Sequence, residues 1–140
     1  MNDCIFCKIV AGEMPATKVY EDESVLAFMD IGPIVKGHTL VIPKQHCDPI
    51  TDVPPELLSK VILIAQKIVA AQMKGLGADG VNLHQCNGAA SGQEVPHVHF
   101  HVIPRYADDG HHWNWNPKSY SDPEEMSRLA AKISAEIDNQ

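Results

Sequence analysis

The sequence predicts an α+β domain: an antiparallel five-stranded sheet with one long helix and a C-terminal helix. Three observations carry this prediction. Short β-patterned runs alternate with turn residues, one long segment repeats its apolar positions at helical spacing, and no stretch reads as a linker or internal repeat. With 140 residues, the chain has the length of one domain, able to bury roughly two-thirds of its unfolded surface. Residues 1–140 are therefore read as a single unit.

Lys18–Glu21 and Ser24–Asp30 read as strands around the turn Glu21-Asp22-Glu23, and in the second Val25, Ala27 and Met29 oppose Leu26 and Phe28. Gly32-Pro33 and Gly37 punctuate the next loop, and His38–Pro43 forms a third strand. The long helix runs from about Pro54 to Lys74. Its prolines suit a first turn, where a missing N–H does little harm. Leu57, Leu58, Val61, Ile64, Ala65, Ile68 and Val69 make one apolar face, and Gly75 and Gly77 end it. Gly80–Asn87 and His97–Pro104 are the fourth and fifth strands, separated by the small-residue loop Gly88–Gly92. The last helix opens on Asp122-Pro123-Glu124-Glu125, with Asp as cap, Pro first and Glu third. Asp108–Tyr120 fits neither period; Trp113 and Trp115 are expected to pack that loop onto the body.

Composition narrows the function. Hydrophobic residues make up 44% and charged residues 21% of the chain, as in a globular protein. Eleven Lys+Arg against 18 Asp+Glu give a net charge of −7, the wrong sign for wrapping a nucleic-acid polymer or an anionic membrane. No segment is long and apolar enough to span a bilayer. Met1-Asn2-Asp3-Cys4 lacks the basic and apolar regions of a signal peptide, so a cytoplasmic location with reduced thiols is expected. Cys4, Cys7, Cys47 and Cys86 then read as metal ligands or free thiols.

The sharpest signal is His97-Val98-His99-Phe100-His101-Val102-Ile103. On a strand the three imidazoles share one face at intervals of about 6.5 Å, while Val98, Phe100 and Val102 enter the core. A slip of one residue would turn every histidine inward. Three readings stand at this point: a polar face that uses histidine, a metal site on two or three of the imidazoles, and nucleophilic catalysis by a neutral central imidazole.

The motif, preceded by Ser91-Gly92-Gln93-Glu94-Val95-Pro96, closely resembles the signature of the histidine triad (HIT) superfamily. So do Val19-Tyr20-Glu21-Asp22, Phe28-Met29-Asp30-Ile31 and Lys36–Lys44, and with Cys4-Ile5-Phe6-Cys7 the likeness spans about residues 4–106. Residues 107–140 form the C-terminal loop and helix. The resemblance implies a HIT-like fold and an enzyme that cleaves nucleotides at the α-phosphorus through a covalent nucleotidyl-histidine. His99 matches the nucleophile, His101 the histidine on the phosphate oxygens beside the leaving group, and His38 an accessory active-site histidine, while His97 is the first of the triad. Gly92, Gln93 and Glu94 fall where the family cradles the phosphate. Asp30 and Ile31 match positions at the ribose and base.

Two positions depart from the pattern. Glu94 stands where several branches have Ser or Thr, and a carboxylate there repels phosphate unless it points away. Cys86 stands where Asn or Gln often reaches the leaving-group side, with Asn87 one residue later. His101 favours hydrolysis over transfer, because the galactose-1-phosphate uridylyltransferase branch has Gln there.

Cys4-x-x-Cys7 lacks the βαβ context of a redox pair. Some bacterial HIT proteins are similar in joining such a pair to a histidine after the Pro-Lys strand end and to the first triad histidine. Here those are His46 and His97, which implies one structural Zn²⁺ per chain on Cys4, Cys7, His46 and His97. Cys47 is a lower-ranked substitute ligand. The expected substrates are purine nucleoside phosphoramidates and related conjugates, with dinucleoside polyphosphates second, and the expected assembly is a homodimer. A zinc hydrolase with metal on the triad and a nucleotide-binding or interaction protein with little turnover are the rivals.

Overall fold

Helices cover both faces of the sheet. The computed structural model describes residues 3–140; Met1 and Asn2, part of the stretch read for a leader, lie outside the described residues. In chain order the elements are α1 (Ile5–Val10), β1 (Lys18–Glu21), β2 (Val25–Met29), β3 (Thr39–Pro43), α2 (Pro55–Gly75), β4 (Gly80–Gln85), β5 (Phe100–Arg105) and α3 (Pro123–Asp138). The five strands lie in the order β1-β2-β3-β5-β4, each pair antiparallel.

The alternation along each strand decides which helix it meets. Val25, Ala27, Val41, Phe100 and Val102 point to one face and pack against Val61, Ile64, Ala65 and Ile68 of α2. Leu26, Phe28, Leu40 and Ile42 point to the other, against Phe6 and Ile9 of α1. The α2 layer was legible in the sequence; α1 was not, because six residues give too little periodicity to register. Cys4 is its N-cap, and its Sγ accepts the Cys7 N–H at 3.4 Å.

Two contacts fix how α2 meets the sheet. The buried Gln72 amide donates to the carbonyls of Gly37 (3.1 Å) and Val102 (3.0 Å). Gly37, at φ +104°, lets the chain pass where a Cβ would stand 2.8 Å from Leu76 Cδ1 and 2.9 Å from Pro104 Cγ.

The fifth strand differs from expectation. Its ladder begins at Phe100 rather than His97, because the Val98 N–H donates to the Cys47 carbonyl (2.7 Å) instead of a neighbouring strand. The alternation survives: Val98 is buried beside Cys47 and Val53, while Phe100 and Val102 enter the main core. Trp113 and Trp115 also part ways. Trp113 is half-buried, and its indole N–H donates to Asn82 Oδ1 (2.8 Å), whereas Trp115 is exposed. The α3 helix starts as its sequence predicts, with Glu125 N–H donating to Asp122 Oδ1 at 2.7 Å. Its Met126, Leu129, Ile133 and Ile137 face solvent.

Candidate active site and metal centre

The α1 side of the sheet carries the chemistry. A cavity of about 580 Å³ opens there, lined at one end by Ile5, Phe6, Ile9, Phe28 and Leu40 and at the other by His84, Cys86 and Trp113. Between these ends lie Asp30, His38, His99 and His101, with Gly92 and Glu94 on the rim loop. Ile31 lines the same cavity while standing fully exposed.

Backbone partners fix which imidazole nitrogen holds the proton. A carbonyl oxygen only accepts, so a neutral ring bonded to one must donate through that nitrogen. His99 Nδ1 lies 2.7 Å from the His97 carbonyl and therefore carries the proton, leaving the Nε2 lone pair free. His97 does the reverse. Its Nε2 donates to the Pro43 carbonyl at 2.9 Å, leaving the Nδ1 lone pair toward the cysteines. For His38 the Ile34 N–H donates to Nδ1 (3.2 Å), so Nε2 carries the proton and donates to His101 Nδ1 at 2.9 Å. His101 in turn holds its own proton on Nε2.

Burial depresses the basicity of His38, His97 and His99. His101 is pushed down to about 4, by burial first and then by its neighbours His99, His38 and His84. At neutral pH these rings are uncharged. The charges of Asp30 and Glu94 work the other way on His99. Glu94 thus stays within electrostatic reach of the triad.

The expected loop residues divide. Asn87 Oδ1 accepts the Ile50 N–H (2.7 Å) and its amide donates to Gln85 Oε1 (2.6 Å). Gln93 Oε1 accepts the Gly88 N–H (2.6 Å) while its amide donates to Asp48 Oδ1 (3.0 Å) and the Val95 carbonyl (3.1 Å). Both side chains brace the loop instead of lining the cavity. Phe6, His84 and Trp113 are among the cavity residues to which the sequence reading gave no site role. The strand alternation Asn82, His84, Cys86 was the available signal for His84, which pairs directly across from His101 in the β4–β5 ladder.

At the edge of the same face, the donor atoms of Cys4, Cys7, His46 and His97 lie within 4.8 Å of one another. Cys4 Sγ is 3.5 Å from His97 Nδ1, and Cys7 Sγ is 3.3 Å from His46 Nδ1 and 3.6 Å from His97 Nδ1. Ligands around a tetrahedral zinc are spaced at roughly 3.3–3.8 Å, so this donor set fits a metal. Burial and the neighbouring Cys4 raise the Cys7 thiol, and a dication would relieve that conflict. Cys47 lies outside the group, in its own apolar cluster. Asp30, His38 and His101 also bring donor atoms within 4.8 Å of one another. There the Ile34 amide fixes the proton on His38 Nε2, the nitrogen a metal would need, so this group is built as a hydrogen-bonded chain.

The arrangement has relatives. The HIT domain family model matches residues 11–108. An uncharacterised HIT-like protein of Methanocaldococcus jannaschii is 55% identical over 107 residues, 76% of this chain and 82% of its own. The adenosine 5′-monophosphoramidase hnt1 of Schizosaccharomyces pombe is 39% identical over 137 residues, covering 96% of this chain and 98% of the yeast protein. An adenylylsulfatase of Arabidopsis thaliana, HINT3, is 46% identical over 112 residues, 77% of this chain and 55% of the plant protein. Among solved structures, a HIT-family protein from Bacillus subtilis superposes with a TM-score of 0.88 at 42% identity, over 95% of this chain and 96% of that one. A zinc-bound histidine triad protein from Mycobacterium smegmatis does so with a TM-score of 0.75 at 42% identity, over 99% and 97%. Its sheet, its row of imidazoles and the family match over most of its length agree: the chain belongs to the histidine triad (HIT) family.

Proposed function

We propose that this protein hydrolyses nucleotide conjugates, foremost purine nucleoside 5′-phosphoramidates, at the α-phosphorus through a covalent nucleotidyl-His99 intermediate. The single observation that carries this reading is the 2.7 Å contact of His99 Nδ1 with the His97 carbonyl, which sets the tautomer of the ring. A ring whose Nδ1–H donates to the His97 carbonyl offers an unprotonated Nε2 beside a cavity, with no separate base required. His101 offers an Nε2 proton to the phosphate oxygens, and His38 holds it in that tautomer. Asp30 and Ile31 receive the ribose and base, with the apolar end of the cavity behind them. Gly92 and Glu94 border the phosphate, while Gln93 and Asn87 shape the loop that carries them. The hydrolase names of the yeast and plant relatives support the same reaction class.

Attack by His99 Nε2 forms a P–N bond and breaks the bond to the leaving group. Water then cleaves the P–N bond and frees the nucleotide. Dinucleoside polyphosphates are the second substrate class. Cys4, Cys7, His46 and His97 would hold a structural Zn²⁺ that ties α1 to the triad; its contribution is to fold rather than to the reaction. The exposed edge strand β4, with Leu83 outward, and the solvent-facing apolar stripe of α3 support a homodimer. The reduced thiols such a zinc site needs support a cytoplasmic location.

The test is hydrolysis of adenosine 5′-phosphoramidate by wild type and His99→Ala, with intact-mass detection of the intermediate. Turnover is expected to vanish in the variant, and the wild-type chain to appear one AMP heavier. Turnover that survives His99→Ala overturns the nucleophile. AMP binding by wild type without any turnover replaces the enzyme with a binding protein.

A further inference from the structure

Attack by His99 leaves one proton of the reaction without a source. When His99 Nε2 attacks phosphorus, the ring proton stays on Nδ1, hydrogen-bonded to the His97 carbonyl, so the nucleophile releases none to the departing group. An amine or alcohol would therefore leave as its anion unless another group protonates it. His101 is a hydrogen-bond donor but a poor proton source. It is a neutral ring at pH 7, and the chain behind it ends at the Ile34 peptide N–H, which cannot replace a proton it gives away.

On the opposite side of His101 stands a second pair. His84 lies directly across from His101 in the β4–β5 ladder, with ring centroids 5.7 Å apart, and lines the cavity. Its Nε2 is 3.0 Å from the Cys86 thiol. Its ring plane is set by Trp113, stacked at 5.5 Å and 19°. The indole is anchored in turn through Asn82 Oδ1, which also accepts Arg105 Nη1–H at 2.8 Å. An imidazole held in plane, with a thiol on one nitrogen, has the two properties of a proton relay: fixed orientation and a group behind it that can lose and regain a proton.

We propose that His84, backed by Cys86, is the acid that protonates the leaving group. The inference rests on His99 as nucleophile. As the bond from phosphorus to the leaving nitrogen or oxygen breaks, His84 gives its Nδ1 proton to that atom. The Cys86 S–H proton passes to His84 Nε2, leaving a neutral imidazole with its lone pair on Nδ1, a cysteine thiolate and a cationic nucleotidyl-His99. Water then attacks phosphorus and the P–Nε2 bond breaks. The proton released by water goes to His84 Nδ1 while the Nε2 proton returns to the thiolate, restoring both groups. The relay selects conjugates with basic leaving groups, alkylamines above all, because only these need the proton.

The test measures single-turnover formation of the AMP adduct on substrates of graded leaving-group basicity, from adenosine 5′-fluorophosphate to alkyl phosphoramidates. His84→Phe preserves the aromatic stack on Trp113, and Cys86→Ala removes the thiol alone. Both variants are expected to lose rate with the alkylamine, about 100-fold for His84→Phe, and to match wild type with fluoride. Equal losses across the series would make the pair structural and overturn the proposal, as would a His84→Phe enzyme that retains full rate with the alkylamine. A Cys86→Ala enzyme with wild-type rates throughout overturns the relay through the thiol. Wild type that forms no adduct even with fluoride overturns the nucleophile, and the acid with it.

Discussion

His97 and His99 are two residues apart on one extended segment, and they serve two regions of opposite character. Around His97 the chain is closed: the ring is fully buried, wedged between the Pro43 carbonyl and two thiols. Around His99 it is open, with a cavity large enough for a nucleotide. Burial lowers the proton affinity of both rings, so neutrality alone does not separate them. The difference lies in which nitrogen the backbone occupies. A carbonyl on Nε2 leaves Nδ1 for a metal, and a carbonyl on Nδ1 leaves Nε2 for chemistry. Main-chain acceptors thus decide which nitrogen each ring leaves free.

The largest effect expected on this division is a double dissociation. His99→Ala should lower turnover about 10⁴-fold or more while the zinc content, measured by elemental analysis, stays at one per chain. Cys4→Ala should do the reverse at first. Zinc is lost and the melting temperature falls by about 10 °C or more, whereas chelated protein kept below its melting point retains catalysis. Immediate loss of activity on chelation would show that the two regions are one.

Phe6 is the place to blur the boundary. It is buried against both rings, with centroids 5.8 Å from His97 and 5.2 Å from His99. Phe6→Ala should cost about 3–4 kcal/mol by denaturant titration and weaken both zinc retention and nucleotide binding. A variant that loses stability but leaves both untouched would mean α1 merely covers the sheet.

The smallest effect is in pH. His101 has its proton affinity lowered by folding, from 6.5 to about 4. Its contribution to stability is complete above the unfolded value and drains away as acid protonates the unfolded chain between those limits. Stability measured on His101→Gln and wild type should converge as pH falls, the wild type losing about 1 kcal/mol more by roughly pH 5.5. Parallel curves would show that the ring is not held neutral by its surroundings.

Much of the fold was legible because α2 and the strands obey strong periodicities and their ends carry proline, glycine or aspartate. What escaped was short or non-local. The six residues of α1 show no period, and their Cys-x-x-Cys reads as ligands before it reads as a capped helix. The late start of β5 follows from a hydrogen bond to Cys47, about fifty residues away, which no local pattern records. The row of three histidines could be named from its spacing, and the four metal-type ligands only through the resemblance to HIT proteins that carry the same set. Whether His84 joins them depends on strand register, and whether Gln93 faces ligand or loop depends on Asp48.

Phe6 carries one more consequence. If a metal orders α1 and a nucleotide leans on the same ring, the two share a single free energy of coupling, and such coupling is reciprocal. Whatever factor zinc adds to nucleotide affinity, nucleotide must add to zinc affinity. Where that factor is favourable, saturating AMP would slow the escape of metal to a chelator, and a zinc-loaded chain would hold the ion most firmly when its cavity is full.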